Sequence, residues 1–234
     1  MLRLYVPAAQ IDGGRLRVTG AELRHLRTLR LEPGDRLVIF DDHGLEHDVM
    51  LERIGGREAW AAITASHRPS RESALDLVLA PALLKGTKMD LVIEKATELG
   101  VQRIAPIVTR HTIGQGAHVE RWRRIAVAAA KQSGRTRVPL VDAPVGLAGI
   151  LAADWPGLRL LAWEDERTRA LATLPTAATG VVMVVGPEGG FSSDEVAAAA
   201  SAGFVAIRLA PRVLRAETAA IVAAALCQHR WGDG

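Results

Sequence analysis

Two rhythms of apolar and polar positions run along the chain. Up to about residue 65 the apolar residues come in short runs broken by turn residues. "RLYVP" and "GRLRVTG" predict strands, and "GDRLVIFDDHGLEHDVMLERI" predicts two more around a turn at Asp42, His43 and Gly44. "REAWAAITAS" predicts a further strand despite its alanines. Within this region "AELRHLRTLRLEPGD" spaces Leu23 and Leu26 for one face of a short helix, which Pro33-Gly34 ends. A small, mostly antiparallel unit of this kind closes, or nearly closes, into a barrel. The polar stretch "SHRPSRES", residues 66–73, marks the boundary, with a barrel over residues 1–70 and a second domain over 74–234.

From residue 74 strands alternate with helices, the pattern of a mostly parallel sheet. "ALDLVLAPAL" predicts a strand, and "GTKMDLVIEKATELG" a helix with Met89, Val92, Ile93 and Ala96 on one side. "VQRIAPIVT" predicts the next strand. In "HVERWRRIAVAAAKQSG", Trp122, Ile125, Ala126 and Ala129 share a helical face and turn the arginines outward. A short helix near 146–154 follows, then strands at "LRLLAWE" and "FVAIRLA" around the unit at 181–200, and a final helix from about Glu217 to His229. That unit, "VVMVVGPEGGFSSDEVAAAA", joins a buried strand through a glycine-rich turn to a helix. Ser192 is its cap and Glu195 the capping-box partner.

Composition narrows the class. The 234 residues, 49% hydrophobic and 24% charged, are those of a soluble globular protein. No apolar run is long enough to span a membrane, and the start of the chain does not read as a signal peptide. With one cysteine, Cys227, neither a disulfide nor a cysteine-rich metal site is available, and a buried thiol in a reducing cytoplasm is expected. His43 and His47 stand near Asp42 and Asp48, but no further ligand cluster supports a metal. The net charge is only +3. Its distribution matters more: Arg103, Arg110, Arg121, Arg123, Arg124, Lys131, Arg135 and Arg137 face the single acid Glu120 between residues 103 and 137. Guanidinium groups make two-pronged phosphate contacts, so nucleic acid and a solubilising face are the two readings.

The turn "GPEGG" matches neither a dinucleotide fingerprint nor a phosphate-binding P-loop. A second loop, "RLAPRVLRAETAA", joins a strand to the final helix and carries Arg212, Arg215 and Glu217. Loops at the ends of neighbouring strands are the usual place for an α/β site. Together, "GPEGGFSSDEV" and "LAPRVLRAETAA" resemble the signature loops of the RsmE-type methyltransferases, a branch of the trefoil-knotted SPOUT superfamily. "LLKGTKMDLVIEKATELGVQRIAPIVTRH", "KQSGRTRVP" and the N-terminal "ELRHLRTLRLEPGDRLVIFDDHG" resemble the same family in the same order, over nearly the whole chain.

The resemblance implies an α/β trefoil-knotted SPOUT methyltransferase domain preceded by a small PUA-like β-barrel, acting as a cytoplasmic homodimer. General rules of chain threading would never lead to a knot. It implies S-adenosyl-L-methionine as cofactor, no metal, and N3 of one uridine in the decoding region of 16S rRNA, within the 30S subunit, as target. Carried over, Gly186, Pro187, Glu188, Gly189 and Gly190 form one cofactor wall. Leu209, Ala210, Arg212, Val213, Leu214 and Thr218 form another, and Leu161 and Ala162 close the adenine side. Arg215 and Arg212 become the groups that stabilise a uracil anion, with Glu217 the alternative proton acceptor. RNA contacts are expected from Arg24, Arg27 and Arg30 of the barrel and from Arg110, Arg121, Arg123, Arg124, Arg135 and Arg137. Ala210 and Lys131 depart from the family pattern, which often has glycine and an acid there. A related enzyme with another base or ribose target, and a non-catalytic rRNA-binding assembly factor, are the alternatives.

Overall fold

The alternating apolar residues of the first region line up on one side of six strands. In this computed structural model, which describes residues 2–113, 116–155 and 157–233, they are β1 (Arg3–Tyr5), β2 (Ile11–Asp12), β3 (Arg15–Val18), then, after helix α1 (Gly20–Thr28), β4 (Arg36–Phe40), β5 (Glu46–Ile54) and β6 (Ala59–His67). They form one sheet in the order β1-β4-β5-β6-β3-β2, with β1 and β4 parallel and all other pairs antiparallel. Leu4, Leu16, Leu37, Val49 and Ala61 come from five different strands yet share one core with Leu23 and Leu26 of α1, so the sheet is curled. Register shifts in β5 add to the bend. Among the described residues β1 and β2 do not pair, and the barrel stays open along that seam.

The second sheet is parallel throughout. Its elements are β7 (Asp76–Pro81), α2 (Lys88–Glu98), β8 (Arg103–Ile104), β9 (Ile107–Val108), α3 (Val119–Ser133), β10 (Leu140–Val141), β11 (Val145–Gly146), α4 (Leu147–Ala152), β12 (Leu158–Ala162), β13 (Gly180–Val185), α5 (Ser193–Ser201), β14 (Val205–Ile207) and α6 (Ala216–Trp231). The strand order is β10-β8-β7-β13-β12-β14, and β9 pairs separately with β11. The single strand expected at "VQRIAPIVT" is divided into β8 and β9 at Ala105-Pro106. Proline has no N–H for the ladder, and the Pro106 carbonyl instead accepts a bond from Val145 N at 3.1 Å. Every residue of β13 is buried, as its unbroken apolar run predicts. Helix α6 packs on α2 and on the two central strands. Because β12 lies between β13 and β14, the loops that follow these three strands open at the same end of the sheet.

The chain divides into two units, and the division does not follow the order of the sequence. One contains the chain up to Glu72 together with Ala130–Val138; the other contains Ser73–Ala129 and the chain from Pro139 onward. Residues 130–138, expected in the second domain, therefore group with the first. Their anchors are specific. Arg3 pairs with Glu46 and donates to the carbonyls of Ala130, Lys131 and Arg135 at 3.0–3.3 Å, which satisfies C-terminal acceptors of α3. Lys131 Nζ meets Glu22 at 2.9 Å, an ion pair within the first unit. Arg135 is buried and pairs with Glu72 at 2.8 Å, while Glu72 also accepts the backbone N–H groups of Thr136 and Arg137. That placement removes Arg135 from the RNA contacts expected of it.

Candidate active site

The loops after β12, β13 and β14 enclose a cleft of about 370 Å³, at the lower end of the roughly 300–1,000 Å³ usual for small-molecule sites. Ala162, Gly186, Pro187, Leu209, Ala210 and Leu214 provide small or apolar wall, and Glu188, Arg212 and Arg215 bring charge to it. Two glycines are required by close approach. A Cβ on Gly186 would come within 3.0 Å of the Phe191 ring. Gly190 has φ +67°, and a side chain there would overlap the Glu164 carboxylate.

The turn between β13 and α5 is held from several directions. Ser192 and Glu195 form the expected capping box. Glu195 also accepts Arg110 N at 2.8 Å. Desolvation pushes the Glu195 carboxyl up, but the bonds from Arg110 and Ser192 outweigh it and hold it below the usual carboxylate range. His111 Nδ1 lies 3.0 Å from the Gly189 carbonyl and 3.2 Å from that of Gly190, so Nδ1 must carry the proton to donate. Lys88, at the start of α2, hydrogen-bonds Glu188 at 2.8 Å and lies 3.4 Å from Glu217 Oε2. The bond to Glu188 raises the Lys88 pKa and lowers that of Glu188. One ammonium thus ties the glycine-rich turn to the first turn of α6.

Most of the expected cofactor residues come together: Ala162, Gly186, Pro187, Glu188, Gly190, Leu209, Ala210, Arg212, Val213 and Leu214 line the cleft, as does Arg215. Others do not. Leu161 is buried in the sheet core, Gly189 faces His111, and Thr218 is exposed beyond the lining. Glu217 also lies outside the lining, with its Oε2 3.4 Å from Lys88 Nζ. The sequence reading missed Trp163, Glu164, Asp165, Arg167 and Arg208, which the structure adds. Position alone could have found the first four, since Trp163 and Glu164 end a predicted strand and Asp165 and Arg167 follow it.

With this geometry in place, likeness to known proteins is informative. A family model described as "RNA methyltransferase domain" matches residues 71–228, and one described as "RNA methyltransferase PUA domain" matches residues 18–64. The chain belongs to this RNA methyltransferase family. Among curated relatives it is similar to the ribosomal RNA small subunit methyltransferase E of Mycobacterium bovis, 35% identical over 94% of this chain and 88% of that one. The protein of the same name from Synechocystis is 33% identical over 95% and 76%. A crystal structure of ribosomal RNA small subunit methyltransferase E from Neisseria gonorrhoeae, bound to S-adenosyl methionine, superposes with a TM-score of 0.91 at 33% identity, covering 100% of this chain and 99% of that one.

Within this RNA methyltransferase the arginines expected to hold RNA are mostly engaged. Trp122 is buried and Arg121, Arg123 and Arg124 are exposed, as the helical face predicts. Arg121 pairs with Asp90 at 2.6 Å and Arg123 with Glu120 at 2.7 Å, while Arg124 donates to the Glu120 carbonyl. Arg110 lies 3.7 Å from Asp194. In the PUA unit Arg24, Arg27, Arg30 and Arg137 are exposed, and Arg27 bonds the Gly55 carbonyl.

Proposed function

We propose that this protein methylates N3 of a uridine in the decoding region of 16S rRNA, using S-adenosylmethionine, with the 30S subunit as substrate. The observation that carries the reading is the three-loop cleft of an RNA methyltransferase with Arg212 and Arg215 on its wall. Its volume and mixed apolar and charged lining fit a nucleoside-bearing cofactor, and Gly186 and Gly190 shape the wall by packing closely on Phe191 and Glu164. When bound, the cofactor supplies an activated methyl group on a sulfonium. The walls exclude water and fix the geometry of approach, which is worth several kcal/mol on the usual effective-molarity scale. Uridine N3 carries a proton and is a poor nucleophile. Arg215 and Arg212 favour the deprotonated base by facing its oxygens. N3 gives its proton to water as the base enters and then takes the methyl group, whose bond to the sulfonium sulfur breaks to leave a neutral thioether. The base is turned out of its stack to reach them.

The reading extends to a trefoil knot around the cleft, a cytoplasmic location and a homodimer. Supporting the dimer, α6 leaves Ile221, Val222 and Leu226 half-buried and α2 leaves Leu91 exposed, while the alanines of α6 permit close helix packing. The deciding experiment uses 30S particles from a strain lacking the modification, labelled S-adenosylmethionine and mass spectrometry of the nucleosides. N3-methyluridine is the expected product. A 2′-O-methyl nucleoside or a methylated guanosine would assign the chain another target, and no transfer would leave the rRNA-binding alternative.

A further inference from the structure

In the methyltransferase unit the charged side chains are distributed unevenly. Arg110 and the arginines of α3 have the partners described above. Arg103 pairs with Asp142 at 2.7 Å, Arg159 with Asp154 at 3.1 Å and Arg167 with Asp165 at 3.3 Å, and Arg230 donates to the Leu174 carbonyl. Among the described residues, Arg169, Arg208, Arg212 and Arg215 alone in this unit have guanidinium groups with neither a carboxylate nor a carbonyl partner. All four stand on the two loops that follow β12 and β14. Arg208, Arg212 and Arg215 line the cleft.

The backbone beneath the first two is fixed. Arg208 N donates to the Arg169 carbonyl at 2.8 Å, and Ala170 and Arg208 form a parallel bridge that extends the β12–β14 edge. The two side chains therefore start from adjoining backbone. Glu166 folds the loop ahead of them by accepting Thr168 N at 2.8 Å, Arg169 N at 3.0 Å and the Thr168 hydroxyl at 2.8 Å. Those bonds hold its carboxyl down to about 2, so the fold of the loop does not depend on pH near neutrality. Glu164, Asp165 and Glu188 share the cleft lining, but among the described residues none of them is within ion-pair distance of these four guanidinium groups, which leaves the four uncommitted for an incoming anion. Val213, 83% exposed between Arg212 and Arg215, gives the same surface an apolar contact that a small inorganic anion would not use.

We infer that Arg169 and Arg208 form a phosphate clamp at the mouth of the cleft, gripping the RNA backbone beside the nucleotide that Arg212 and Arg215 receive. The guanidinium fork suits two phosphate oxygens at once. This inference rests on the proposed reaction but moves the RNA grip of the unit from α3, where Arg121 and Arg123 already have carboxylate partners, to the rim of the site.

The test measures binding of unmodified 30S subunits across a potassium chloride series, with cofactor affinity followed separately by calorimetry. Arg169→Gln with Arg208→Gln should weaken RNA binding and flatten the slope of log affinity against log salt by roughly 1.4–1.8, the value for two phosphate ion pairs. Arg169→Lys with Arg208→Lys should keep most of the slope. Arg169→Gln alone, outside the cleft lining, should bind S-adenosylmethionine like the wild type, and unchanged circular dichroism shows that every variant is folded. An unchanged salt slope in the glutamine pair would overturn the clamp. So would a loss of cofactor affinity with RNA binding intact, which would assign the two arginines to the cofactor's carboxylate. A wild-type protein that neither binds nor methylates 30S subunits would overturn the reaction and the clamp with it.

Discussion

Gly190 and Arg215 show how differently two residues of one cleft can act. Gly190→Val places a β-branched side chain at φ +67° and against the Glu164 carboxylate. We expect S-adenosylmethionine affinity to fall at least about tenfold, the equivalent of roughly 1.4 kcal/mol, while sedimentation is unchanged. Arg215→Ala removes a guanidinium that has no hydrogen bond among the described residues. Turnover should fall by about 10²–10³, the scale of losing one group that stabilises a developing anion, with cofactor affinity retained. Equal turnover would take Arg215 out of the chemistry. The sequence exposes these two positions because they sit in contiguous motifs. It hides Lys88, whose partner Glu188 is 100 residues away, and it hides Glu217's attachment to the same ammonium. No local pattern encodes a contact of that separation.

Among the elements, the segment from β13 to α5 is the most fully written in the chain, since valine runs, glycine turn and capping box are all local signals. The two-residue strands β10 and β11 have too few positions to show a period, and only tertiary pairing creates them. Ser192→Ala tests the cap. It should cost about 1 kcal/mol, which lowers Tm by roughly 2–4 °C for a chain of this size. The capping box also predicts an acid-side dependence. The folded-state Glu195 carboxyl is depressed, so its contribution is present above the ordinary carboxylate range and is lost as pH falls through the folded value. Glu195→Gln should remove that part of the acid unfolding curve and leave stability near neutral pH only modestly lower.

For the molecule as a whole, association is the property most open to measurement. Sedimentation equilibrium should report twice the 25.0 kDa mass of one chain. Replacing Leu91 and Leu226 by glutamate should shift it toward the monomer, because charges in an apolar interface are costly to desolvate. A wild-type monomer at all concentrations would reject the dimer. The sequence conveys both domains and most of their strands, yet not the return of residues 130–138 to the first unit. Lys131 and Arg135 read there as ordinary basic residues of a helix end, since Glu22 and Glu72, which hold them, are far away in the chain.

That return makes the boundary near residue 73 a poor place to cut. A methyltransferase fragment beginning at residue 74 would carry Arg135 without Glu72 and Lys131 without Glu22. It would also lose Arg3, which bonds the carbonyls of Ala130, Lys131 and Arg135, so the end of α3 would be left without the donor that the first unit supplies. Such a fragment should be recovered as insoluble or protease-sensitive material even though its own sheet is complete. Modular dissection, swapping of the RNA-binding unit between relatives and fusion at the linker all meet the same obstacle. The unit that genetics can move intact is the whole chain.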